Sequence, residues 1–256
     1  MNLFELAHEK DEYNFALSLA PEFKGYQLTS AMDAQMAYHE YRDFLELKQF
    51  NPSPIRVRVA LALYCHVAEA AGLWCIPMCM LGILEGREYS TDPFHKLVEL
   101  HKVSGQRVAP NANRIFGTMA GAAKSLGLQQ LSEVFRDAFD SDLRNGFAHA
   151  DYALNHEGVH VRGRHDRARI IGWREFQRLF DNGVDLYQVL LETVEYFQRE
   201  YETPKVVPGR CNAHTLEDLW LVYLDPVSKV MSVSGGPGWT KEALLEQHRA
   251  QHGEHL

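Results

Sequence analysis

The stretch LSEVFRDAFDSDLRNGFAHADY, Leu131 to Tyr152, holds the change of pattern that decides the fold. Leu131, Val134, Phe135, Ala138, Phe139 and Leu143 recur three and four residues apart, which places them on one face of a helix. From Tyr152 the period shortens. Tyr152-Ala153-Leu154 and Gly158-Val159-His160-Val161 flank Asn155-His156-Glu157 in a hairpin pattern, and Ala168-Arg169-Ile170-Ile171 supplies a candidate third strand. At the junction stands LRNGFAHADY, with Arg144 and His149 five positions apart. On an ideal helix such residues project about 140° apart, so a straight helix does not put both on one face. Gly146, between them, is a poor helix former and a place where the backbone can bend.

Upstream, Ser30 with Asp33 has the spacing of a capping box and opens a helix through AMDAQMAYHEYRDFLELKQF. Asn51-Pro52-Ser53-Pro54 breaks the chain, and Ser53 as N-cap with Pro54 at the first helical position starts a longer helix through IRVRVALALYCHVAEAAGLW. Pro77 is expected to kink or end it. Residues 87–108 read as a connection with a short helix around Phe94 to His101, followed by a helix from about Asn113 to Leu126 that Gly127 stops. Downstream, Phe176, Phe180, Val184, Tyr187, Leu190, Leu191, Val194 and Phe197 stripe a long helix over Trp173 to Tyr201, with Asn182-Gly183 as a point of interruption. Pro204 and Pro208 mark a boundary. Beyond it Trp220–Leu224 and Lys229–Val233 pair across Asp225-Pro226-Val227-Ser228, before a glycine-rich turn and a polar helix. The expected fold is mainly α: a helical bundle with a small β-hairpin element before its last long helix, and a small C-terminal α+β appendage.

At 256 residues the chain can bury a full core. Its net charge of −8 argues against non-specific nucleic-acid binding by the whole surface, although screening leaves room for a local basic site. No secretory signal is visible after Met1, and the longest charge-free apolar run, Ala70 to Leu84, is short for a membrane span and interrupted by Pro77. A buried core helix, a cytoplasmic location and no membrane partner are the expectations. Cys65, Cys75, Cys79 and Cys211 form no disulfide framework and no C-x-x-C pair, so core thiols are expected rather than a metal site. His248, His252 and His255 lie in a polar tail and receive no role.

The motif has two accounts. Structurally, Asp140 sits four residues before Arg144, the favoured order for an ion pair along a helix, and a cation near a helix C-terminus complements its dipole. Chemically, a guanidinium can hold two phosphate oxygens, while an imidazole titrating near neutrality can move the proton of a ribose 2′-hydroxyl. Asn145 would orient the phosphate or the imidazole. Such a set needs no metal or other cofactor.

Arg144-Asn145-Gly146-Phe147-Ala148-His149 resembles the R-x(4–6)-H motif of HEPN domains, with a polar residue directly after the arginine. The resemblance extends over about residues 30–201. It implies an up-and-down helical bundle that forms a homodimer, placing two motifs together in a composite RNase site. Arg144, Asn145 and His149 would be the catalytic residues of a metal-independent endoribonuclease. Toxin or host-defence function and an antitoxin or operon partner are implied as well. In paired HEPN toxins a tyrosine two residues after the histidine accepts AMP. Here that position is Asp151, and Tyr152 follows it. The alternative within the same family is a dimeric module that binds RNA, a nucleotide or a protein without cutting. On this reading the chain divides into an N-terminal extension, 1–29, a HEPN-like domain, 30–204, and an appendage, 205–256.

Arg162, Arg164, Arg167, Arg169 and Arg174 form a basic run just after the motif and are candidate RNA contacts, unless nearby acids pair with them. Trp173 reads as the core residue that opens the last helix, with base stacking as the alternative. His66 and Glu69 share a face of the second long helix, as a mutual buried pair or as support for the motif. Asp151 and Tyr152 complete the possible supporting residues.

Overall fold

The computed structural model describes residues 3–20, 26–46, 53–163, 167–211, 214–225 and 230–252. In chain order the elements are α1 (Leu3–Lys10), α2 (Glu12–Leu19), α3 (Tyr26–Glu46), α4 (Pro54–Glu69), α5 (Ala71–Leu84), a 3-10 turn (His95–Leu97), β1 (Glu99–Leu100), β2 (Arg107–Val108), α6 (Ala112–Ser125), α7 (Gln129–Asp137), α8 (Ser141–Ala148), β3 (Tyr152–Leu154), β4 (Gly158–Arg162), β5 (Ala168–Gly172), α9 (Trp173–Arg199), β6 (Lys205–Gly209), β7 (Asp218–Leu224), β8 (Met231–Gly236) and α10 (Lys241–His252). The protein is mainly helical, with small antiparallel sheets.

Two compact units divide the chain, and they are discontinuous, unlike the linear division at residues 29/30 and 204/205. One comprises Met1–Glu22, Cys75–Pro93 and Leu190–Leu256, the other Phe23–Trp74 and Phe94–Val189. In the first, α1 and α2 pack with the end of α9 through Phe4, Phe15 and Phe197. The sheet order is β6-β7-β8, and β7 and β8 form the expected hairpin but with Leu224 opposite Met231, two residues beyond the closure at Lys229 that the sequence suggested; Pro226, Val227, Ser228 and Lys229 lie outside the described residues. The strand β6 was not expected. Its Gly209 lies where any Cβ would meet the Tyr13 ring at 2.1 Å, so α2 seats on the sheet only because that position is glycine. Most of α5 belongs here as well, with Met80 and Leu81 wholly buried.

The second unit contains the motif. Ser53 caps α4, its hydroxyl accepting from the Arg56 N–H, with Pro54 at the first turn as expected. Helix α3 begins at Tyr26, upstream of the capping box expected at Ser30. The apolar run breaks at Ala70, whose ψ of 57° leaves the helical region, rather than at Pro77, which lies inside α5. The short helix expected around Phe94 to His101 is a single 3-10 turn, His95–Leu97, followed by two short strands, β1 and β2, that pair.

The stripe from Leu131 to Leu143 is two helices, not one. Asp140 is extended and caps α8, accepting from the Leu143 N–H at 2.9 Å, which ends the helical path of α7. The break directs Phe139 among Tyr64, Trp74 and Phe116. Opposite it, α9 runs through Asn182-Gly183 without interruption. A Cβ at Gly183 would meet the Phe139 ring at 2.8 Å, so this glycine serves close packing rather than a break. The sheet β3-β4-β5 has all three expected strands, and Val159, Val161 and Ile171 from it pack with Leu61, Tyr64, Leu143, Phe176 and Leu179. Each such side chain buried contributes about 1.5–3 kcal/mol. Among the described residues no single helix is long and apolar enough to cross a membrane.

Candidate functional site

Everything proposed for the motif depends on how α8 is held. Its N-terminal end is closed by a network. The Asp140 N–H donates to the Tyr64 hydroxyl at 2.6 Å, and Asp140 Oδ2 accepts from Arg169 at 2.8 Å. Arg169 also donates to Asp142 at 3.1 Å and to Glu175 at 2.9 Å. Burial disfavours the Arg169 charge, but hydrogen bonds and attraction from Asp140, Asp142 and Glu175 outweigh it and push its pKa up. Desolvation pushes the Tyr64 phenol up, so it stays a neutral hydroxyl that accepts from the Asp140 N–H. The expected Asp140–Arg144 ion pair does not form. Asp140 lies outside the helix as its cap and is committed to Arg169.

Gly146 stays within α8 and does not bend it. A Cβ there would meet Val161 Cγ1 at 2.8 Å, so its absence lets α8 lie directly against β4. The helix then ends in a Schellman-type turn. The His149 N–H donates to the Asn145 carbonyl, Ala150 N–H to Phe147 and Asp151 N–H to Gly146, at 3.0, 3.0 and 2.7 Å. Ala150 occupies the left-handed position, with φ of 54°. That fixes His149 as the C-cap residue, and it is exposed.

Arg144 extends from α8 toward α4. Its Nε lies 3.2 Å from Glu69 Oε1, and its side chain is only 13% exposed. That distance makes an ion pair, but the angle does not make a hydrogen bond, so the buried Nε–H is unsatisfied. We take the pair as a loose electrostatic tether. Beside it Cys65 contacts the Arg144 carbonyl at 3.6 Å, and burial pushes its thiol up to about 12, so it remains neutral. Among the described residues no other acid pairs with Arg144, and neither the Asn145 side chain nor the His149 ring makes a hydrogen bond or ion pair.

Compared with known proteins, the chain matches no family model, no curated protein and no solved structure.

The supporting residues divide clearly. Glu69 reaches Arg144, whereas His66 Nε2 bonds the Ala34 carbonyl of α3 at 2.7 Å and its ring faces Tyr41, so His66 and Glu69 do not pair. Asp151 pairs with Arg162 at 2.9 Å. Tyr152 stacks near Phe147 and serves the core. Of the basic run, Arg169 is turned inward beside Val161 by the β4–β5 register and is occupied by three carboxylates. Arg162, Arg167 and Arg174 are exposed, and Arg164 lies outside the described residues. The Trp173 indole N–H donates to the His156 carbonyl at 3.0 Å, which pins its edge to the β3–β4 turn. Sequence reasoning missed the clamp around Arg169. The signal available was Asp140-Ser141-Asp142, a helix-start pattern inside an apparently continuous stripe.

Proposed function

We propose that the protein is a metal-independent endoribonuclease of HEPN type that acts as a homodimer. The observation supporting it is the exposed, unpaired His149 imidazole at the end of the same short helix that carries Arg144. Residues five apart on an ideal helix project about 140° apart, so we take a phosphate between them to be held by the facing motifs of two copies, as the resemblance implies. In that composite site Arg144, tethered by Glu69, neutralises the scissile phosphate, and Asn145 orients it. The ribose 2′-oxygen attacks phosphorus as the bond to the 5′-oxygen breaks. His149 takes the 2′-hydroxyl proton or supplies one to the leaving oxygen. The products carry a 2′,3′-cyclic phosphate and a 5′-hydroxyl. A toxin or host-defence role, with an antitoxin or operon partner, follows from the same resemblance.

A second reading is a dimeric module that binds RNA, a nucleotide or a protein without cutting, and the Arg144–Glu69 pairing favours it, because a guanidinium already tethered and mostly buried is less available to phosphate. Incubating RNA in EDTA with wild type, Arg144→Ala and His149→Ala separates the two. Cyclic-phosphate ends made by wild type and lost in both variants support the enzyme. RNA bound but left intact by a folded wild type supports the module.

A further inference from the structure

Helix α10, Lys241–His252, is polar, and the residues it buries are Leu244 and His248. Four residues apart, they form one seam, and α10 packs on β6 and β7. A helix of 12 residues is marginal in water on its own, so α10 depends on that seam. Leu244 is wholly buried and His248 is 8% exposed. An imidazole thus stands where a packing residue belongs.

Its surroundings suit the neutral ring and oppose the charged one. His248 meets the Tyr223 ring of β7 at a steep angle, with centroids 4.5 Å apart. The ring of His252, one turn further along α10, lies 4.7 Å away and also touches Tyr223. Two imidazoles this close repel when both are protonated. One carboxylate is at hand: Asp225 Oδ2, just past β7, is 3.8 Å from His252 Nδ1. It compensates a proton on the half-buried His252 and leaves a proton on His248 buried beside a cation. Lys205, the titratable residue of β6, is engaged by Glu12 and Glu200. Among the described residues Tyr223, Asp225 and His252 are therefore the titratable groups that face His248.

Burial and the neighbouring His252 hold His248 below the ordinary histidine range, and Asp225 offsets only part of this. A histidine held low when docked and released to its ordinary range when exposed favours the open form as pH falls. The contact is then complete above about pH 6.5 and weakens below it.

We infer that α10 is an acid-released clasp on the β6-β7-β8 sheet: it stays docked while His248 is neutral and opens locally when His248 and His252 are both protonated. This device is independent of the motif on α8, and neither proposal needs the other.

The test is hydrogen exchange of the full-length chain at about pH 7.5 and about pH 5.5, a range in which histidines titrate and ordinary carboxylates stay charged. Labelling times are scaled for the intrinsic rate, and peptides from α10 and β7 are followed. Protection of α10 is expected to fall about tenfold at the lower pH, as a tenfold difference in proton affinity between docked and open forms gives, while β7 keeps its protection. His248→Phe keeps a ring in the seam without a titrating nitrogen, and its α10 should hold protection within about twofold across the same range. Should that variant not fold, His252→Gln removes the second imidazole from the half-buried position and should shrink the fall. Equal protection of α10 at both pH values overturns the inference. So does an equal fall in α10 and β7, which marks global unfolding, or a fall that persists undiminished in either folded variant.

Discussion

Two arginines lie along α8 beside acidic side chains, and they are used in opposite ways. At the N-terminal end Arg169 meets Asp140, Asp142 and Glu175 within 3.1 Å, and every charge has a partner. Arg144, in the middle of the helix, has one acid, Glu69, at 3.2 Å with an unsatisfied Nε–H, and His149 stands exposed at the C-terminal end. One eight-residue helix thus carries a closed electrostatic network at its start and an open one beyond it. Closed networks hold structure. An open end with an unsatisfied donor and a free imidazole is where a ligand would complete the pairing.

The largest effect expected from this contrast is at the open end. If His149 moves the proton, His149→Ala lowers RNA cleavage by roughly 10²–10⁴ while leaving thermal stability within about 0.5 kcal/mol, the usual range for an exposed substitution. A variant that melts several degrees lower with unchanged cleavage would place His149 among the structural caps instead.

Next in size is the contact between the ends. Gly146→Val drives a branched side chain into Val161, since even a single Cβ already stands 2.8 Å from it. Overpacking of this kind costs about 1–3 kcal/mol or more, read by chemical denaturation, and shifts α8 off β4. Gly146→Ala should fall at the lower end of that range.

At the closed end, Arg169→Met leaves Asp140, Asp142 and Glu175 facing one another without a cation. Breaking such a network costs about 1–3 kcal/mol, toward the lower end because Arg169 and Glu175 remain about a third or more open to solvent. Adding Asp142→Asn should recover part of the loss by removing one repelling charge, a result that a simple packing defect at Arg169 would not give.

Much of this arrangement was legible beforehand where a local rule decides the outcome. Ser53-Pro54 starts α4, the alternation after Tyr152 gives three strands, and Gly127 stops α6, because caps, pleats and left-handed glycines act within a few residues. The failures share another cause. Phe139 continued the helical stripe in sequence, yet its ring belongs to a cluster from three other segments, and Asp140 turns the chain to place it there. Gly146 and Gly183 looked like weak points in helices, but each permits a contact with a distant element. Arg169 sat in a basic run that suggested RNA contact until the β4–β5 register turned it toward three acids. At the site itself, the place of His149 at the end of the helix was readable from the change of pattern that follows it. The choice of Glu69 over His66 as the tether depends on where α4 lies, which no spacing encodes.

The smallest expected effect concerns the turn that fixes His149. Ala150 holds φ at 54°, a region that costs a residue with a Cβ about 1–2 kcal/mol and that glycine enters freely. Ala150→Gly removes that cost but adds about 0.5–1 kcal/mol of unfolded-state entropy, so the net gain is about 0.5–1 kcal/mol. A rise of about 1–4 °C in melting temperature is the measurable form of it. On the proposed function cleavage should be unchanged, because the bonds from His149, Ala150 and Asp151 to the end of α8 are made by backbone groups that glycine keeps. If stability rises and cleavage falls, the strained alanine is holding His149 in a position that a relaxed turn does not reproduce, and the open end of α8 is strained for the sake of its histidine.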